Sequence, residues 1–381
     1  MNRADVIVIG AGIVGASTAW ELAHRGVSVC LVDRGGLSQG TTGLGEGNVL
    51  CSDKDVGPEL ELSRLGRALY DEIEERFGAE ARIRRKGALI VHPDARTWAP
   101  EPARVERLSE AGVEARLVDG DEARALEPRL TPDLHGATYV PGDLQCDPRA
   151  IAVAMGRASG AELRLGVAVE AIVVKDRDDA RVAGVRLAGG EILAAVAVVL
   201  AAGPWSAPLA ATAALPLPVE PRKGQLVRLR LPAPHPSFLR RKIVDASYLL
   251  TVTAAGAERQ VSTVVETTAG GDVLVGSSRE RCGFDAVVDP HLSRRLQEQA
   301  ANIVPAVAGL PHAAAWVGFR PWLPDHLPAI GPSRRVPGLW LATGHEGAGV
   351  AQGPITGRVV AQALTGETPE LDLAPFDPDR F

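Results

Sequence analysis

The 381-residue sequence predicts an α/β protein in which a parallel-sheet domain is interleaved with a second domain built on an α+β antiparallel sheet. Two observations predict the first domain. Strand, glycine turn and helix follow one another at the start of the chain and again at its end, and a buried apolar run ending in glycine recurs near residue 200. A third observation predicts the second domain: the stretch between 219 and 275 alternates apolar and polar residues with the two-residue period of antiparallel strands. The implied division is 1–52, 146–215 and 316–381 for the first domain, with 53–145 and 216–315 forming the second.

Residues 6–9 are an apolar strand that leads into Gly10, Gly12 and Gly15. The three glycines serve different ends. Gly10 makes the tight turn, Gly12 lets backbone approach a pyrophosphate, and Gly15 lets the following helix pack closely on the sheet. The N-terminus of that helix, over 16–25, offers N–H groups and partial positive charge to phosphates. A second strand, 27–33, ends in Asp33, eighteen residues after Gly15, near the spacing of a carboxylate that accepts from an adenosine ribose. The glycine spacing alone is weak in a chain with 41 glycines. Flanked by strand, helix and acidic strand end, it indicates a Rossmann-like fold holding an adenine dinucleotide, in preference to an ordinary βαβ unit.

The small residues of 35–48 have too little bulk to build core and read as backbone laid against a ligand. Helices are predicted over 59–77 and 103–111, and Asp147-Pro148 caps a third running to about 157. Strands follow at 167–174 and 181–187. The run 194–202 reads as another central strand, ending in Gly203-Pro204-Trp205-Ser206. Segments 226–231 and 247–252 belong to the antiparallel sheet, and 292–303 is a helix. The chain closes with strand 339–342, a glycine loop over 343–353 and a helix over 356–364.

Composition excludes several classes. A formal charge of −6 and a pI near 5.8 give no electrostatic reason to expect nucleic acid or an acidic membrane surface. No apolar stretch reaches eighteen residues, and the nucleotide motif begins at Asp5 with no room for a leader, so the expectation is a cytoplasmic protein without a membrane span. Cys30, Cys51, Cys146 and Cys282 are scattered without a C-x-x-C pair, which argues against zinc, an iron–sulfur cluster or a disulfide frame, and no metal is expected. H-E-x-x-H and Walker lysine motifs are absent.

Four segments resemble a known family: Val8-Ile-Gly-Ala-Gly-Ile-Val-Gly15, Val198-Val-Leu-Ala-Ala-Gly-Pro-Trp-Ser206, Val317-Gly-Phe-Arg-Pro-Trp-Leu-Pro-Asp-His-Leu-Pro-Ala-Ile-Gly331 and Leu339-Trp-Leu-Ala-Thr-Gly-His-Glu-Gly-Ala-Gly349. The resemblance, over nearly the whole chain, is to the FAD-dependent amino-acid and amine oxidoreductases. These include D-amino acid, glycine and sarcosine oxidases and the flavin subunits of proline, hydroxyproline and opine dehydrogenases. It implies a Rossmann-like FAD-binding domain. Gly10, Ala11, Gly12, Val14 and Gly15 match the pyrophosphate loop, and Asp33 and Arg34 the adenosine end. Thr41, Thr42, Gly47 and Asn48 fall beside pyrophosphate and flavin, Val169 meets adenine, and Ala202, Gly203 and Trp205 lie at the strand end beneath the cofactor. His345, Glu346, Gly347, Ala348, Gly349, Val350 and Ala351 match the loop and helix N-terminus that face the flavin pyrimidine, where N–H donors stabilise negative charge. Noncovalent FAD is expected, because the cysteine that attaches flavin in monomeric sarcosine oxidases has no counterpart around Phe319.

By the same resemblance Arg320 binds a substrate carboxylate through a two-pronged contact, against the reading of a structural arginine tying loops. Tyr248 matches a tyrosine assisting it. Glu46 reads either as a contact to a substrate ammonium or as a solvated loop carboxylate. His345 reads as a flavin contact or a core histidine, and Trp322 as a pocket wall or plain packing. Gly347 stands where relatives often bring a second arginine. The implied reaction is oxidation of the C–N bond of an amino acid or N-substituted amino acid by hydride transfer to flavin N5, giving an imine that water hydrolyses. Electrons then pass to oxygen, or to a partner subunit as in multi-component dehydrogenases, whose flavin subunits resemble this chain over 53–62. A noncatalytic FAD-bearing scaffold is the remaining alternative.

Overall fold

Val6–Ile9, four buried β-branched residues, forms the middle of a six-stranded sheet. In the computed structural model, which describes residues 4–175, 181–247 and 259–381, it pairs in parallel with Val29–Asp33 and with Ala197–Leu200. Glu162–Leu165 and Leu339–Thr343 extend the parallel array on either side, and Ala329–Pro332 adds an antiparallel edge. Continuous apolar runs suit strands covered on both faces. On one face Val8 and Leu31 meet Leu22 of helix Ile13–His24, Leu62 of helix Pro58–Phe77 and Val359 of helix Gly349–Thr365. On the other, Ile7, Ile9 and Val32 meet Ile172, Val185 and Leu193 from a three-stranded antiparallel sheet, Val169–Val174, Val182–Leu187 and Ile192–Ala194. The alternation of Cβ directions along Val6–Ile9 supplies both interfaces.

The second sheet has eight strands, in the order His312–Trp322, Glu220–Leu229, Val273–Arg279, Gln260–Thr267, Lys242–Asp245, Ala88–His92, Gly136–Val140 and Arg116–Val118. Neighbours are antiparallel as the alternation predicts, except that Lys242–Asp245 runs parallel to Ala88–His92. Those two strands come from the two separate chain segments, so no hairpin constrains their directions. The expected boundary at 315/316 falls inside the strand His312–Trp322. Helix Pro290–Ile303 packs Leu292, Leu296 and Ala300 onto Val227, Val265 and Val275 of one sheet face. The two-residue period leaves Gly224, Gly276, Lys242, Glu266 and Arg320 on the opposite face, turned toward the nucleotide domain.

The last helix departs from the sequence expectation. It begins at Gly349, seven residues before the predicted start, and runs through Gly353 and Pro354. Its glycines serve helix crossing: a Cβ on Gly353, which reads as loop, would lie 3.0 Å from Ile13, and one on Gly357, inside the predicted helix, 2.6 Å from the Ser17 backbone. Pro354 has no N–H to give the carbonyl of Val350, and Tyr70 Oη donates to that carbonyl at 2.5 Å instead. The segment predicted as a strand at 247–252 lies almost wholly outside the described residues. Among those described, no helix is long and apolar enough to cross a membrane.

Candidate functional site

A cavity of about 930 Å³ opens at the carboxyl ends of the parallel strands and reaches to the polar face of the eight-stranded sheet. That crevice is where open α/β sheets bind ligands. Its near end is lined by Gly10, Gly12, Val14, Asp33, Arg34 and Val169, its middle by Thr41, Thr42, Asn48, Ala202, Gly203 and Trp205, and its far end by Glu46, Arg320, His345, Glu346, Gly347, Gly349 and Val350. Five predicted cofactor residues do not line it. Ala11, Gly15 and Gly47 support the wall from behind, and Ala348 and Ala351 turn into the core because the helix presents only part of its first turn to the cavity.

The glycine turn is shaped for a close ligand. Gly10 holds φ +105°, and a Cβ there would lie 2.4 Å from the carbonyl oxygen of Ala201. A Cβ on Gly15 would lie 1.8 Å from the oxygen of Gly10, so helix Ile13–His24 packs against the turn only without one. Gly12 is the N-cap of that helix and caps nothing with a side chain, leaving its end open to an anion. Asp33 Oδ2 accepts from Ala11 N at 2.8 Å and Oδ1 from Gly35 N at 2.7 Å, which ties the strand end to the turn. A carboxylate offers about four acceptor positions, so capacity for ribose hydroxyls is left. Arg34 lies 3.9 Å over the Trp205 ring, and Trp205 stacks on Phe284 at 5.3 Å.

The small-residue loop is fastened both to helix Ile13–His24 and to the second sheet. Thr42 Oγ1 accepts from Ile13 N, Thr41 Oγ1 donates to the carbonyl of Phe319 at 2.6 Å, and Trp316 Nε1 donates to that of Leu44 at 2.8 Å. Gly47 passes under Cys146, where a Cβ would lie 1.7 Å from the Cys146 oxygen. These ties bring Glu46 to the strand that carries Arg320.

Arg320 donates from Nη1 to the carbonyl of Ser278 and from Nη2 to Ser277 Oγ, both at 3.0 Å. Gly224 makes the space: a Cβ there would stand 2.3 Å from Nη1. Glu46 is a buried carboxylate rather than a solvated one. Its Oε2 accepts from Asn48 Nδ2 at 2.6 Å and Lys242 Nζ at 3.1 Å. Burial alone would raise its pKa, but Lys242 and Asn48 hold it below the ordinary carboxylate value. Lys242 is itself buried and donates also to Glu266 at 3.3 Å and to Asn48 Oδ1.

Sequence reasoning missed Lys242 and Glu266. The available signal was a charged residue at an inward-facing strand position, which shows only once register is known. His345 shares a 2.9 Å hydrogen bond with Thr356 Oγ1, and burial pushes its pKa down to about 3, so it is a neutral wall residue. The Glu346 carboxylate is turned to Arg222 and His326, leaving its backbone for the cavity; burial would raise its pKa, yet His326 and Arg222 lower it to about 2. Trp322 does not line the cavity and packs against His326 and Arg281. Tyr248 lies outside the described residues.

These features fit FAD. The Gly10 and Gly12 backbone, the open helix end and Asp33 would hold its adenosine and pyrophosphate, and the loop from Thr41 with the N-terminus of helix Gly349–Thr365 would flank its ring system. No described cysteine lines the cavity.

Comparison with known proteins agrees. The chain is 30% identical to glycine oxidase of Pseudomonas aeruginosa, covering 98% of each chain, and 26% identical to D-amino acid dehydrogenase of Cereibacter sphaeroides, covering 99% of this chain and 95% of that one. The crystal structure of glycine oxidase from Geobacillus kaustophilus superposes with a TM-score of 0.88 at 28% identity over the full length of both chains. The family described as FAD dependent oxidoreductase matches residues 5–363, and with the cradle in place the chain belongs to that family.

Proposed function

We propose that this protein oxidises the C–N bond of an amino acid or N-substituted amino acid, using noncovalent FAD as the two-electron acceptor. The observation that carries the reading is the pair of opposite charges, Arg320 and Glu46, on the cavity wall beyond the nucleotide cradle. Arg320 takes the substrate carboxylate in a charge-assisted contact, and Glu46 faces the amine. Holding both ends orients the Cα–N bond in one pose, and the buried wall excludes competing poses. The amine gives up its proton as the bond is oxidised, and water hydrolyses the resulting imine to a carbonyl compound and an amine. The names of the relatives, oxidase and dehydrogenase, leave two acceptors for the electrons: oxygen or a partner protein.

Anaerobic addition of D-amino acids, L-proline analogues, sarcosine and opines tests the reading, with bleaching of the bound flavin as the expected result. If none of them bleaches it, the reading falls in favour of a noncatalytic scaffold. Oxygen consumption against dye reduction then assigns the acceptor. Arg320→Ala is expected to lower kcat/KM by about 2 to 4 kcal/mol of transition-state binding, and an unchanged value removes Arg320 from the carboxylate site.

A further inference from the structure

We propose that Lys242 is a positioning residue that keeps Glu46 off Arg320, so that the wall presents separated anionic and cationic poles and selects 2-amino acids over 2-hydroxy acids and plain carboxylates. The inference rests on the carboxylate-binding reading of Arg320 given above.

Glu46 reaches the sheet from the nucleotide domain, and two cations compete for it there. It makes its ion pair with Lys242, not with Arg320, although Arg320 is close enough to act on its charge. Lys242 is well placed to win. It stands on the strand Lys242–Asp245 with a side chain 2% exposed, and its three ammonium donors go to Glu46 Oε2, Glu266 Oε2 and Asn48 Oδ1. Glu266 faces it from the neighbouring strand and Asn48 from the loop, so the ammonium cannot move without stranding a buried group.

Because Oε2 is committed to Lys242 and Asn48, Oε1 is the oxygen left for a ligand. It receives no hydrogen bond from any described residue, and Glu46 lines the cavity. Gly276 lets it reach that position, since a Cβ there would lie 2.3 Å from Oε1. An amine brings N–H donors and positive charge to such an oxygen. A hydroxyl brings a single neutral donor, and a methyl group brings none while removing water from a carboxylate. A charge-assisted hydrogen bond of this kind corresponds to about tenfold to a hundredfold in affinity.

Three ligands of one shape separate the possibilities: 2-aminoisobutyrate, 2-hydroxyisobutyrate and pivalate. None carries hydrogen on its second carbon, so none can be oxidised there, and each is titrated into the FAD-loaded protein by the change in flavin absorbance. The wild type is expected to bind the amino ligand about tenfold to a hundredfold more tightly than the other two. Glu46→Gln should bring all three within about threefold, as the amino ligand loses its charge-assisted contact and pivalate no longer strips water from a carboxylate. Lys242→Met frees Glu46 to close on Arg320 and should weaken pivalate about tenfold, and the double variant Glu46→Gln/Lys242→Met should restore it, because a neutral amide does not compete for the guanidinium.

A merely structural lysine would weaken pivalate equally in both backgrounds, and that result overturns the proposal. So does a wild type that binds all three alike or none of them, or a preference that survives Glu46→Gln. Should Lys242→Met fail to fold, Glu46→Gln decides alone: lost preference upholds the poles, retained preference rejects them. Bleaching by amino acids together with a retained preference rejects this inference only. No bleaching by any amino acid rejects the reading beneath it.

Discussion

Gly224→Ala displaces Arg320 while leaving the guanidinium itself intact. Gly224 sits in the strand Glu220–Leu229 opposite Gly318, without the positive φ that would strain an alanine. The added Cβ would stand 2.3 Å from Nη1 of Arg320 and 2.8 Å from its Cζ and Nη2. Ordinary contact requires about 3.4 Å or more, so the guanidinium must retreat by about 1 Å. Misplacing a binding group by that distance costs about a hundredfold in rate, or about 3 kcal/mol. The fold should not suffer, because alanine restricts the unfolded chain more than glycine does. The assay is kcat/KM with whichever amino acid bleaches the flavin, beside the thermal midpoint and flavin content. A hundredfold loss with both of these unchanged is expected. The same substitution in an Arg320→Ala background should cost almost nothing further, since its target is gone. Unchanged kcat/KM, or an equal loss in both backgrounds, would refute the assignment of Arg320 to the substrate.

Gly15→Ala should yield protein with little bound flavin, read from the ratio of visible to ultraviolet absorbance, because its Cβ would stand 1.8 Å from the Gly10 oxygen and push the helix from the turn; a fully yellow variant would contradict the cradle. Tyr70→Phe leaves the Val350 carbonyl with neither Pro354 nor a hydroxyl to bond it, and should cost about 1 to 3 kcal/mol in urea unfolding. Glu346 governs acid stability. Its folded pKa of about 2 lies below the ordinary 4.5, so its contribution is complete above about pH 4.5 and is lost as pH falls toward 2. The difference corresponds to about 3 kcal/mol. The gap in thermal midpoint between wild type and Glu346→Gln should therefore shrink across that window, and a constant gap would show that the carboxylate does not titrate with folding.

The parts of the molecule legible from sequence are those whose cause is local. Gly10, Gly12 and Gly15 are readable because a turn and a close helix need them at fixed spacing, and Asp33 because it ends the next strand. Asp147 accepts two N–H groups of the helix it precedes, a relation contained in a few neighbouring residues. The glycines at the end of the chain mislead for the opposite reason. Gly349 and Gly353 signal loop by propensity, and only the crossing of their helix over Ile13–His24, with Tyr70 serving the carbonyl that Pro354 abandons, makes helix the stable choice.

Sequence by itself determined that this chain builds a nucleotide cradle, because that feature follows from the spacing of Gly10, Gly12 and Gly15 and from the acidic strand end at Asp33; Arg320 is a carboxylate-binding candidate only through family resemblance. Only the tertiary structure decided which charges meet. Glu46 is brought to Lys242 from 196 positions away along the chain, and Lys242 faces it rather than the opposite core because of strand register. A shift of one residue in that register would turn the ammonium to the other face of the sheet, and no property of the neighbouring residues alone records which way it points.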